Sequence, residues 1–270
     1  MVDDTHGGER RPRPPAGGAP RRGPYAGRDV ARSGPGRARR VQPQHAPQEL
    51  DDGPVIPPDV EAKQLAPEIR RELSTLDRAT AEAVARHLVA AGGLIDDDPQ
   101  AALSHARAAR ARSGRIAAVR EAVGIAAYHC GDWAQALAEL RAARRMGSKS
   151  PLLPLIADCE RGLGRPERAI ELARGPEAAE LSGDDADELR IVAAGARADL
   201  GQLEQALIVL STPQLDPSRT GSTAARLFYA YAETLLALGR SDEALQWFLR
   251  SATADVEGVT DAEERVSELA

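Results

Sequence analysis

One short phrase recurs along the chain and restricts its fold more than any other feature. Gly131-Asp132-Trp133 leads to Ala136-Leu137, Gly164-Arg165-Pro166 to Ala169-Ile170, Gly201-Gln202-Leu203 to Ala206-Leu207, and Gly239-Arg240-Ser241 to Ala244-Leu245. A weaker fifth copy has Asp97-Asp98-Pro99 before Ala102-Leu103. The copies begin at 97, 131, 164, 201 and 239, so the intervals are 34, 33, 37 and 38. Such a period marks one supersecondary unit, repeated, each copy too small to bury its apolar face except against the next. The phrase also has a local meaning. A Gly closing one helix can adopt the left-handed conformation, a small Ala in the next helix lets the two approach, and the apolar residue beside it fills the groove between them.

Apolar residues spaced by three and four on both sides of each phrase predict helices paired antiparallel through tight turns. Asp77 or Thr80 caps a helix to about Ala91, with Gly92-Gly93 ending it, and Asp98 caps the next, whose first residue is Pro99. Further pairs are expected at 116–130 with 133–146, 151–163 with 166–174, 185–200 with 203–211, and 222–238 with 241–254. Pro67 opens a short helix to about Leu76 that covers one open end, and the acidic residues 261–270 form a last short helix in which Val266 and Leu269 pack.

These phrases resemble tetratricopeptide repeats, with the Gly at the turn between the two helices of a unit and the Ala where they cross. The resemblance covers roughly residues 79–254 and implies an all-α, right-handed solenoid of about five helix pairs. The earlier small residue of the first helix is Gly at Gly124 alone and Ala at Ala157, Ala194 and Ala232. Looser joints at Gly175, Ser182-Gly183 and Pro213 to Gly221 produce the two long intervals.

Composition sets apart a tail at 1–58; beyond it the chain is read as a linker and capping helix at 59–78, the solenoid that the resemblance implies at 79–254, and an acidic segment at 255–270. The tail is mostly Pro, Gly, Arg, Ala and Gln, with too little apolar surface to offset the entropy of ordering, and is predicted to be disordered. It carries ten Arg against seven acids, while the rest has 25 bases against 34 acids. Only the stretch to His45 is therefore suited to a polyanion. Lys63 and Lys149 are the only lysines among the bases, a bias that points to a GC-rich bacterial gene. Cys130 and Cys159 lie inside helical patterns without a disulfide framework, and no apolar run is long enough to span a bilayer, so the chain reads as cytoplasmic and not membrane-bound.

No catalytic signature is legible in the sequence. The paired glycines lie in the tail or at a helix C-terminus, the wrong end for an anion. His87, His105 and His129 fall on three helices, with Cys130 beside the last, but adjacent helical residues point about 100° apart. They are read as surface or groove residues, and no metal or cofactor is expected. Asp96, Asp97 and Asp98, and likewise Asp184, Asp185 and Asp187, are read as helix-start acids. Trp133 and Phe248 are read as packing residues.

The resemblance places a partner-binding groove on the first helix of each pair. That register points to His87, Glu121, Ile125, Tyr128, Asp158, Arg161, Glu188, Ile191, Arg226, Tyr229 and Glu233. Glu121 and Ile125 stand where some family members carry Lys and Asn to clamp a C-terminal carboxylate, so a basic and apolar peptide is the expected ligand. The expected function is a non-catalytic scaffold for a partner protein or peptide. The second reading is a nucleic-acid adaptor working through the Arg-rich tail alone, which has only Tyr25 for base stacking. Self-association through an exposed solenoid end is a further expectation, and a helical-repeat enzyme is the least supported reading.

Overall fold

The computed structural model describes residues 53–270, and among them all regular structure is helical. A short helix, α1 (Pro67–Leu73), precedes five antiparallel pairs. The pairs are α2 (Arg78–Leu94) with α3 (Pro99–Arg112), α4 (Ala117–His129) with α5 (Trp133–Arg145), α6 (Leu153–Gly162) with α7 (Pro166–Ala173), α8 (Gly183–Asp199) with α9 (Leu203–Ser211), and α10 (Ser222–Ala237) with α11 (Ser241–Ala254). Helix α12 (Ala262–Leu269) follows. The second helix of each pair also packs on the first helix of the next, which makes the fold a helical-repeat solenoid.

The boundaries follow from capping chemistry. Asp77, Asp98 and Asp132 each accept a hydrogen bond from the backbone N–H three residues on, at 3.0, 3.0 and 3.1 Å, satisfying a donor that the first turn leaves open. Gly131, Gly164, Gly201 and Gly239 sit at φ of 71°, 72°, 70° and 75°. After each, the next residue's N–H reaches back across the turn, as Asp132 does to the Ala127 carbonyl and Arg240 to that of Leu235, which closes the helix in a left-handed cap. Gly92-Gly93, expected to end the first helix, instead lies within α2. Neither glycine has a neighbour near its missing Cβ, and buried Ala90 and Ala91 keep this turn packed, so tertiary contact overrides weak helix propensity.

A row of small residues runs through the core. Ala102, Ala136, Ala169, Ala206 and Ala244, one per pair, are all fully buried at the helix crossings. Gly124 allows closer approach still, because a Cβ there would lie 2.7 Å from Leu140. Three buried carboxylates punctuate this core. Glu139 on α5 meets Arg110 and Arg120 at 3.0 and 2.8 Å, and Glu160 on α6 meets Arg141 and Arg165 at 2.5 and 3.3 Å. Asp187, expected as a helix-start acid, is buried and paired with Arg190 and Arg219 at 2.6 and 2.5 Å. Arg190 also donates to the Pro213 carbonyl at 3.0 Å, so this cluster ties down the long joint between α9 and α10. Such charges are tolerated inside only because each is paired and hydrogen-bonded.

Candidate functional site

The first helices line one face of the solenoid, but not evenly. α2 packs beside α4, α6 beside α8, and α8 beside α10, while α4 and α6 touch only slightly. Side chains span that weak joint instead. The Trp133 ring lies over Gly162, where a Cβ would come within 2.7 Å of it, and the Tyr128 ring meets Trp133 edge-on at 5.2 Å. The Tyr128 hydroxyl donates to Asp158 at 2.5 Å, Arg161 Nε donates to the other Asp158 oxygen at 2.8 Å, and Arg161 reaches Asp199 at 3.2 Å. Three of the expected groove residues thus form one chain of contacts from α4 to α8. Burial, with the Asp158 carboxylate adding to it, holds the Tyr128 phenol far above its usual range, so it stays a neutral donor.

Glu121 and Ile125 belong to a different place. Together with Ala118 and Ala122 they recur at helical spacing along one side of α4 and face a cavity of about 830 Å³. Its other walls are α1, through Glu68, Ile69 and Glu72, and the α5–α6 loop from Met146 to Ser150. Ser148 and Ser150 each donate a hydroxyl to Glu121, at 2.7 Å and 2.7 Å. Neither α1 nor this loop is part of the repeat register, so the groove expected from that register lacked two of its walls. The legible signal was the amphipathic run from Pro67 to Leu73, which presents Ile69 and Leu73 on one side.

The remaining candidates lie on α8 and α10. Glu188 pairs with the more exposed Arg226, and Ile191 packs against the apolar cluster around Phe228. Tyr229 sets its ring edge-on to Phe248 at 5.3 Å, and burial together with a hydrogen bond to Asp261 raises its phenol well above the usual range. Glu233 pairs with Arg265 of α12 at 2.9 Å, and the Arg265 guanidinium lies 5.5 Å from the Phe248 ring centre. Asp261 and the α12 that follows it therefore engage the last two candidates, Asp261 at Tyr229 and Arg265 at Glu233.

His87, expected to face the groove, is 1 % exposed and pairs with His105, Nδ1 to Nδ1 at 3.0 Å, in the interface between α2 and α3. The expectation of scattered surface histidines is corrected here for both residues. His87 falls three residues after buried Val84, and His105 three after buried Ala102, which is the spacing of the core stripe. Burial first, then the positive charges of Arg112, His105 and Arg86, depress the His87 imidazole to about 4. Burial pushes the Cys159 thiol up to about 12 and raises that of Cys130, which leaves both poor nucleophiles. Among the described residues no three His, Cys, Asp or Glu side chains are grouped to hold a metal ion, and no helix is long and apolar enough to cross a membrane. The Arg-rich segment to His45, on which the nucleic-acid reading depended, lies outside the described residues.

No protein-family model matches the sequence, and no curated protein matches it. Among solved structures the chain is similar to that of YrrB, described as a TPR protein with an unusual peptide-binding site. The two share 18% identity over 68% of this chain and 91% of that one, with a TM-score of 0.42.

Proposed function

We propose that this chain is a non-catalytic interaction scaffold that holds a partner protein or peptide along the face built by α2, α4, α6, α8 and α10. The observation that carries this reading is the cavity of about 830 Å³ on that face, walled by Ile69, Ile116, Ile125 and Met146 and rimmed by polar side chains. A concave, mostly apolar recess with a few polar groups is the usual form of a recognition site. The rest of the face contributes Arg226 near its other end, while Tyr128, Asp158 and Arg161 are occupied with one another. The two thiols are held protonated, and the buried carboxylates are each matched by arginines, which agrees with a role in which no group is kept reactive.

The reading is tested by affinity purification from native cells with the full chain, with Ile125→Asp and with Arg226→Glu. A protein retained by the wild-type chain and lost from Ile125→Asp is the expected outcome. Identical recoveries from all three would remove the face from consideration.

A further inference from the structure

Resting on that reading, we propose that the cavity between α1, α4 and the α5–α6 loop takes an acidic peptide segment carrying an apolar side chain. This reverses the basic ligand expected from the sequence, and the reason is which charges the fold leaves available.

Each acid of the cavity already meets an internal donor. Glu72 accepts the Ala118 backbone N–H at 3.2 Å, at the start of α4, where the helix dipole also favours a negative group. Both carboxylate oxygens of Glu121 accept serine hydroxyls. Glu68 pairs with Arg71 at 3.5 Å. A cationic ligand would share each of these carboxylates with a donor already in place. The two remaining charges in the lining are Arg115 and Lys149, both exposed, and neither has an ion-pair or hydrogen-bond partner within the described residues.

The same lining offers Ile69, Ile116, Ile125 and Met146 as apolar surface, with Met146 still 43 % exposed. A Met side chain on a loop adapts to apolar ligands of varied shape. Arg115 precedes α4 and Lys149 lies between α5 and α6, so the cations stand on two different loops bordering one recess. An extended peptide can set an apolar side chain into the recess while its carboxylates meet those cations. Rim charges of this kind contribute sign selectivity and association rate more than affinity.

The experiment is to pan a displayed random octapeptide library against the full chain, then measure the selected peptides by fluorescence polarisation on the wild-type chain, Arg115→Glu/Lys149→Glu and Arg226→Glu. Because Arg115 and Lys149 are exposed and have no partner among the described residues, the double variant should keep the wild-type melting temperature. Selected peptides are expected to combine Asp or Glu with Leu, Ile or Phe. Their affinity should fall about tenfold or more on reversal of both cations and change little in Arg226→Glu, with the wild-type affinity weakening as salt screens the pair. Selection of basic peptides, or of peptides indifferent to Arg115 and Lys149, would overturn the acidic ligand while leaving a peptide scaffold standing. Failure to select any peptide would overturn the acidic peptide ligand and leave the scaffold reading to the affinity purification with Ile125→Asp.

Discussion

The two ends of the first-helix face make a useful contrast. Around α4 the face is open, because α1 and the α5–α6 loop stand back from Ile125 and leave a cavity between them. Around α10 it is engaged, because α12 delivers Arg265 to Glu233 and sets Val266 and Leu269 against the cluster containing Phe248. Equivalent repeat positions thus have different uses. Whether a residue at a groove position can meet a partner depends on the non-repeat segment beside it, and the repeat itself does not encode that segment.

The largest expected effect concerns the covered end. Phe248 is fully buried, and truncating it in Phe248→Ala should cost about 3–5 kcal/mol in urea unfolding. It also removes the ring on which Tyr229 and Arg265 rest, so α12 should lose protection in hydrogen exchange while α2 and α3 keep theirs. Uniform loss along the chain would show that the two ends are not separable.

At the weak joint, Gly162→Ala forces a methyl into the Trp133 ring and should cost about 1–3 kcal/mol. Gly195→Ala is the matched control, since its Cβ would meet Arg161 at an ordinary 3.5 Å within α8. That variant should gain about 0.5–1 kcal/mol by restricting the unfolded chain. Equal effects from the two substitutions would mean that Trp133 does not set the approach of α5 and α6.

Acid should separate the ends as well, because all three histidines among the described residues lie in the first two pairs. The imidazole of His87 falls from 6.5 to about 4 on folding, so the unfolded chain binds the proton more readily. Stability is therefore unaffected above the unfolded value and declines as pH falls from 6.5 toward 4, with a slope of at most about 1.4 kcal/mol per pH unit for this group. Hydrogen exchange in α2 and α3 should quicken over that interval ahead of α10 and α11. A flat profile, or one unchanged in His87→Gln, contradicts the assignment. The smallest loss is expected from Tyr128→Phe, which keeps the ring on Trp133 and removes the bond to Asp158, at about 0.5–1.5 kcal/mol.

These contrasts show what kind of information each residue carried. The Gly turns and crossing alanines were legible because they act locally, one fixing a backbone conformation and the other a helix separation, and both recur at a fixed interval. Asp98 was readable as a cap for the same reason. Asp187 has the same residue type at the same kind of place, yet it is a buried partner of Arg219, which lies 32 residues on. His87 and His105 belong to one core interface, though each alone is an ordinary polar residue in a helix.

By itself the sequence determined the helix pairs, their order and the small-residue seam that stacks them, since each depends on chemistry within a few residues and on periodicity. Only the tertiary structure decided which part of the first-helix face is open, which acids already meet a donor and which cations have no partner among the described residues. Those properties arise from side chains meeting across distant segments, where a hydrogen bond from Ser148 or a covering helix such as α12 changes what a residue can offer to a partner.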